Sequence, residues 1–279
     1  MSEAKLYTHT IRAGSVKEND EQLAQNMLLS DNLWRGAGLA LVIIMWQVGV
    51  SVGWINSFLM GSPVGIANEA WRLIQSGQLL NDTVATVYAT VVGFLAGSIL
   101  GSIAGLLLWF SRKTARIIDP FVVALNGLPK IALAPMIIIW FGSGMFSKIM
   151  LAFVATFVVA LLSAYQGTHQ IDRNLINLMR SLGASRHEIF TKVVAPATLP
   201  WIISAFRLNI GFALIAEIGG EFISSDRGLG RMIFVAGNLF NLNVVWVGVI
   251  MLMIVAIVLY IIVSQVAKLL LPWEKGQKQ

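Results

Sequence analysis

Four charged side chains stand inside or at the edge of apolar stretches of this 279-residue sequence, and they are the first candidates for chemistry: Lys130, Arg207, Glu217 and Glu221. A charge near the centre of a bilayer costs at least ~2.5 kcal/mol, so it has a partner, a wet surrounding or a task. Glu217 and Glu221 are one helical turn apart and share a face. Two such carboxylates repel unless a cation sits between them or one holds a proton. Lys130 or Arg207 has the right sign for that cation. The four side chains suit a gate or a solute contact in a translocation pathway. They suit equally a structural ion pair holding two apolar segments together.

Covalent, metal and nucleotide chemistry have little to work with. There is no cysteine, hence no thiolate ligand, disulfide or thiol nucleophile. The three histidines are His9, His169 and His187; one is in the polar N-terminal stretch and two are in a polar loop. No catalytic triad or metal cluster assembles from them. The nearest approach to a phosphate-binding loop, 142–148, lacks the closing Gly-Lys-Ser/Thr. The sequence therefore contains no catalytic or metal-ligating set, and any ATP that drives it must sit on another polypeptide.

The elements that position these residues are membrane spans. Hydrophobic residues make up 57% of the chain and charged residues only 12%, against roughly 25% in a soluble domain. A span needs about 20 apolar residues. Six candidates meet this: 36–55, 83–110, 121–141, 149–165, 201–218 and 244–270. They define a transmembrane domain over 36–271, flanked by a tail at 1–35 and another at 272–279. The N-terminal tail is polar and mixed in charge, unlike a signal peptide, and carries a possible surface helix around residues 21–29. With the N-terminus in the cytosol, 14 of the 20 lysines and arginines fall in inner segments and four in outer ones. The positive-inside rule then places both termini in the cytosol. The net charge of +6 is spread over these loops and does not point to nucleic acid.

Two spans carry special patterns. The second holds Gly93, Gly97, Gly101 and Gly105, a four-residue repeat that puts all four on one face. Such a stripe admits a second helix closely, either as ordinary packing or as a sliding pair in a gate. The third reads LPKIALAP, with Pro129 and Pro135 around Lys130, and predicts a kinked element.

The most ordered non-apolar stretch is the loop at 168–196, on the cytosolic side. Asp172 can cap a first helix whose face carries Leu175, Leu178, Met179 and Leu182. Gly183 follows where a helix ends in a left-handed residue. Ser185 and Glu188 have capping-box spacing for a second helix carrying Ile189, Phe190, Val193 and Val194. Pro196 then opens the next span. The product is a helix–glycine–helix with a small apolar knob. It suits docking to a cytosolic protein, and it also suits an amphipathic loop lying on the membrane surface.

At 177–196 the residues resemble the EAA loop of binding-protein-dependent ABC importer permeases. That pattern is Glu-Ala-Ala, three residues, Gly, nine residues, Ile, any residue, Leu-Pro. Gly183, Val193 and Pro196 fall on it; Asn177, Leu178, Met179 and Ala195 depart from it. The segment LPKIALAPMIIIWFGSGMFSK resembles the proline-rich third span of the nitrate/sulfonate/taurine class. GEFISSDRGLG is similar to that class's glutamate with Gly-Leu-Gly seven residues on, and Glu221 is the matching residue. The likeness covers about 62–267.

The resemblance implies an all-α integral membrane protein with the six-helix type I importer permease fold, in the bacterial inner membrane. It implies a homodimer of permeases, two cytosolic ATPases that bind ATP and Mg, and a periplasmic or lipid-anchored solute-binding protein. The cargo implied is a small polar or anionic solute. The segment that would enter each ATPase is Leu178, Met179, Arg180, Ser181, Leu182, Gly183, Ala184 and Ser185, with Leu175 on the same face. An ATP-independent channel or secondary transporter would need its own binding site and often inverted repeats, neither of which is evident. An intramembrane enzyme would need polar catalytic groups within the spans.

Overall fold

The computed structural model describes residues 33–270, all of whose regular structure is helical. The expected tails, with the surface helix around 21–29, lie outside the described residues except for 33–35. The chain divides after Gly65 into two compact units. The described part of the first holds α1 (Leu33–Ser51) and α2 (Ser57–Met60), the latter capped by Asn56, whose side chain accepts from the Phe58 N–H at 2.9 Å.

The second unit begins within α3 (Pro63–Gln75), an amphipathic helix that buries Ile66 and Leu73, two turns apart. It continues through α4 (Gln78–Leu107), a short 3-10 turn at Leu108–Phe110, α5 (Arg112–Gly127), α6 (Ala134–Phe141) and α7 (Met145–His169). After the polar loop come α8 (Arg173–Ser181), α9 (Arg186–Ile189), a π-helical stretch Phe190–Val194, α10 (Ala195–Ile223), α11 (Leu229–Asn238) and α12 (Leu242–Leu270). Five helices are long and apolar enough to cross a membrane, and a sixth crossing is available if α5 and α6 count together.

The third span is where the expectation of a kinked helix needs correction. It is broken, not kinked: α5 and the segment Lys130–Phe141 meet at 95°. Pro129 forces Leu128 into an extended conformation (φ −74°, ψ 136°) and has no N–H to continue a helix. Pro135 sits in the first turn of α6, where no N–H is needed. The fifth span also differs. A continuous helical run covers Arg186–Ile223, far beyond 201–218, so the second helix of the polar loop is the start of the span itself. The change from π to α register falls beside Pro196, whose ring has no hydrogen to give.

The core is α4, α7 and α10. A Cβ on Gly93, Gly97, Gly101 or Gly105 would fall under 3.0 Å from the carbonyls of Ile149, Phe153, Phe157 and Leu161 of α7, respectively. Each glycine thus seats one α7 carbonyl, and the two backbones approach as closely as helices can. Buried Asn209 of α10 pins all three helices: its amide donates to the Ser98 hydroxyl at 2.9 Å and the Thr156 carbonyl at 3.1 Å. With no hydrophobic effect between helices in lipid, such contacts carry the association.

Candidate functional site

The polar loop is closed on itself. The Asp172 carboxylate accepts from the Asn174 N–H at 2.8 Å and starts α8. At its end the Ala184 N–H donates to Met179 O (3.0 Å) and the Gly183 N–H to Arg180 O (2.9 Å), with Gly183 at φ +80°. This is the Schellman arrangement, and it uses up the last carbonyls of α8. Ser185 and Glu188 form the reciprocal capping box: the Ser185 N–H donates to the Glu188 carboxylate at 2.8 Å, and the Glu188 N–H to the Ser185 hydroxyl at 3.3 Å. The backbone needs are met locally, while Leu175, Leu178 and Leu182 stay 44%, 56% and 74% exposed. Met179 is half-buried on the same helix, Arg180 and Ser181 are exposed, and the Ser181 hydroxyl donates back to Asn177 O.

One contact positions this loop that sequence reasoning missed. The Arg186 guanidinium donates to the carbonyls of Trp109 and Phe110, and lies 5.4 and 5.7 Å from their ring centroids. The Phe190 ring packs 4.6 Å from Phe110 and 5.7 Å from Trp109, centroid to centroid. A cation at the C-terminal end of α4 meets both the free carbonyls and the helix dipole.

The four intramembrane charges do not assemble as an ion-pair cluster. Among the described residues the only ion pairs are Arg72–Glu69 and Lys192–Glu188. The ion pair expected between the glutamates and Lys130 or Arg207 is therefore corrected. Lys130 stands at the α5–α6 break and donates to Asn126 O at 2.7 Å. It lines a cavity of about 460 Å³ whose other walls include Pro129, Ile131, Phe212 and Ile215. Arg207 lies ten residues before Glu217 on α10, about 15 Å along the axis. Its Nε has no acceptor among the described residues. Glu217 is fully buried, and neither carboxylate oxygen finds a donor there. The charges acting on it are Glu221 and Lys148.

Lys148 is a cation that stands just outside the candidate span 149–165. It is 2% exposed, it donates to the Ser143 carbonyl, and Glu217, Glu221 and Asp226 act on it. It shares a cavity of about 180 Å³ with Glu221, Asp226 and Arg227. Its position four residues after the Gly142–Gly144 turn, at the head of an apolar helix, was the available signal.

Glu221 belongs to a different network. The Thr86 hydroxyl donates to its Oε1 at 2.8 Å, and the Gly230 N–H donates to its Oε2 at 2.6 Å. The Leu229 N–H donates to the Thr86 hydroxyl and the Gly228 N–H to Asp82 Oδ1, both at 2.9 Å. Three successive N–H groups at the head of α11 are thus satisfied by Asp82 and Thr86 of α4 and Glu221 of α10. Gly228, at φ +131°, has the carboxylate of Glu221 where a Cβ would go. Asp82 and Thr86 went unnoticed in the sequence, although they continue the face of the glycine stripe toward its N-terminal end.

Comparison with known proteins gives one consistent picture. Residues 93–275 match the family described as binding-protein-dependent transport system inner membrane component. The chain is 34% identical to the riboflavin transport system permease protein RibX of Chloroflexus aurantiacus, over 85% of this chain and 88% of that one. It is 32% identical to the putative aliphatic sulfonates transport permease protein SsuC of Bacillus subtilis, over 85% and 86%. It is 26% identical to the taurine transport system permease protein TauC of Escherichia coli, over 84% and 87%. Among solved structures, an inward-facing MetNI methionine ABC transporter superposes with TM-score 0.60 at 21% identity, over 71% of this chain and 95% of that one. A bacterial ABC transporter involved in alginate import gives 0.61 at 15% identity, over 90% and 96%.

Proposed function

We propose, from the premise that this chain belongs to the family of binding-protein-dependent transport system inner membrane components, that residues 178–185 are the surface through which a separate ATPase moves its helices. The protein is the transmembrane permease subunit of a type I ABC importer of the sulfonate/taurine class, a multi-pass protein of the bacterial inner membrane. It forms the translocation pathway and couples to ATPase subunits that carry the nucleotide site it lacks. That sets aside an ATP-independent channel or a secondary transporter.

The observation that carries the coupling assignment is the mismatch on the 173–185 segment. Its backbone is fully capped, yet three leucines project from it uncovered. A helix satisfied in its polar groups and unsatisfied in its apolar ones fits a groove on another protein. In the working complex, two copies of this chain sit about a two-fold axis. Two cytosolic ATPases bind ATP and Mg, and each receives one loop. A periplasmic or lipid-anchored binding protein delivers a small polar or anionic solute. Both termini face the cytosol, and the transmembrane domain spans 36–271 between the two tails. Lys130 contacts the solute from the cavity at the broken third span. Arg207 and Glu217 line the pathway less directly, and Glu221 holds the α10–α11 turn.

The test is a reconstituted complex of permease, ATPase and binding protein carrying Leu178→Asp. Full assembly of the permease with loss of binding-protein-stimulated ATP hydrolysis is the expected result. Normal stimulation and uptake would remove the docking assignment. Orientation is checked separately. The chain has no cysteine, so a single one at position 224 reports its side of the membrane cleanly. Labelling only from the cytosolic face would invert the topology.

A further inference from the structure

The break in the third span leaves a cavity with a single charge in it. Leu128 and Pro129 are extended between α5 and the segment that leads into α6. Irregular backbone at membrane depth is stable only where it is buried in protein or lines a wet cavity. Here it lines the cavity of about 460 Å³, within the roughly 300–1,000 Å³ typical of small-molecule sites. Val159, near the middle of α7, forms part of the far wall, so the cavity lies at mid-depth. The Lys130 amine donates to Asn126 O at 2.7 Å and, at the limit of a hydrogen bond, to Asn126 Oδ1 at 3.5 Å. Both acceptors are neutral. Among the described residues no aspartate or glutamate lines the cavity, and none pairs with Lys130. A cation at this depth without a counter-charge is costly. The remaining walls are apolar, and Phe212 and Ile215 stay 46% and 58% exposed, so packing within the chain does not consume that surface.

We propose that this cavity takes an organic monoanion with an apolar body, a carboxylate or sulfonate carried on a ring or a short alkyl chain. Lys130 and the Asn126 amide hold the anionic head, and Ile131, Phe212 and Ile215 hold the body. The inference rests on the reading of this chain as the subunit that forms the translocation pathway, and it names the class of solute that pathway fits. Each exclusion follows from a wall. An inorganic oxyanion brings no apolar surface and would give up its water shell for one amine and one amide. A dianion would leave one charge uncompensated. An organic cation would meet Lys130 and no carboxylate. A zwitterion would bury an ammonium with no group of opposite sign to receive it. An aromatic body gains further from the Phe212 ring, through edge or offset contact.

The experiment uses the complete complex in nanodiscs of neutral phospholipid, with Ile215→Cys as the only cysteine of the permease. The rate at which N-ethylmaleimide labels that cysteine is measured without ATP. Benzenesulfonate is expected to slow the labelling saturably. Nitrate, taurine and benzyltrimethylammonium are expected to leave it unchanged, because they lack the body, add an ammonium and reverse the charge, respectively. Lys130→Gln is expected to raise the half-protecting concentration of benzenesulfonate about ten-fold or more, the loss of a hydrogen bond between charged groups. Lys130→Arg, which keeps the charge, is expected to restore most of the protection. Phe212→Ala alters a half-exposed position and keeps the test available if Lys130→Gln does not assemble. It is expected to weaken protection by benzenesulfonate while the unprotected rate stays the same. Equal protection by nitrate or taurine would overturn the assigned class, and equal protection by the cation would remove Lys130 from the site. No protection by benzenesulfonate, or protection only when phosphatidylglycerol is added to the nanodiscs, would overturn the proposal, the second result making the cavity a lipid site. The labelling needs no ATP turnover, so failure of the docking assignment in Leu178→Asp leaves these outcomes untouched. Normal coupled uptake in a complex that benzenesulfonate does not protect would sink this inference alone.

Discussion

At its N-terminal end α4 meets its neighbours through a buried hydroxyl and a buried carboxylate; just past its C-terminal end the chain meets them through two carbonyls and an exposed guanidinium. The two ends also carry a matched pair of glycines. Gly228 and Gly183 both stand just before a capped helix at positive φ, +131° and +80°. Around Gly228 the Glu221 carboxylate fills the space of a Cβ, whereas around Gly183 nothing lies within 4 Å. Buried hydrogen bonds to a charged group are worth roughly 1.5–3 kcal/mol, and exposed ones far less, because water competes for the same groups. The N-terminal end therefore does more to hold the fold together than the C-terminal one.

Four substitutions test this contrast, from the largest expected loss of stability to the smallest. Glu221→Ala strips the acceptor from the Gly230 N–H and the Thr86 hydroxyl and should cost about 3 kcal/mol. Thermal unfolding of the detergent-purified permease reads it as a midpoint several degrees lower. An unchanged midpoint would mean that the network at the head of α11 does not hold the fold. Gly228→Ala should cost about 2 kcal/mol, through crowding plus an unfavourable backbone conformation. In the Glu221→Ala background the same change should cost much less, since the clashing carboxylate is gone; strict additivity would contradict the geometry. Gly183→Ala should cost about 1 kcal/mol, the backbone penalty alone. Its midpoint should move clearly less than that of Gly228→Ala, and equal shifts would erase the distinction between the ends. Glu217→Gln should be within about 0.5 kcal/mol of the parent or slightly stabilising. A neutral amide removes a carboxylate that has no donor and can itself donate to Glu221. A strong loss there would reveal a cation held by Glu217.

How much of this was legible in the sequence depended on distance along the chain. The capping of the polar loop was legible, because Asp172, Gly183, Ser185 and Glu188 act within a few residues of one another. The six apolar segments were likewise visible. Pro129 and Pro135 signalled a disturbance but not its size, since a kink and a 95° break begin with the same missing N–H groups. The partners of the charges were not legible. Thr86 and Glu221 are 135 residues apart, Asp82 and Gly228 146, and Arg186 and Phe110 76. Charge sign alone made Lys130 and Arg207 the natural partners for the glutamates. The cation whose charge does act on both is Lys148, whose stem lies near Gly220 of α10.

The glycine stripe of α4 has a consequence for how this chain can vary. On the side facing α7, Gly93, Gly97, Gly101 and Gly105 leave no volume for even a methyl group. Turned away from that contact, Leu95, Ile99, Leu100 and Ile103 are about half exposed and meet no such limit. Substitutions along this one helix are therefore accepted or refused with the rhythm of its own turn. A library saturating 93–105 would lose its members at the four glycines and at the buried Phe94, Ser98 and Ser102 beside them, and the record of survivors would trace the paths of α7 and α10 across a helix neither covalently touches.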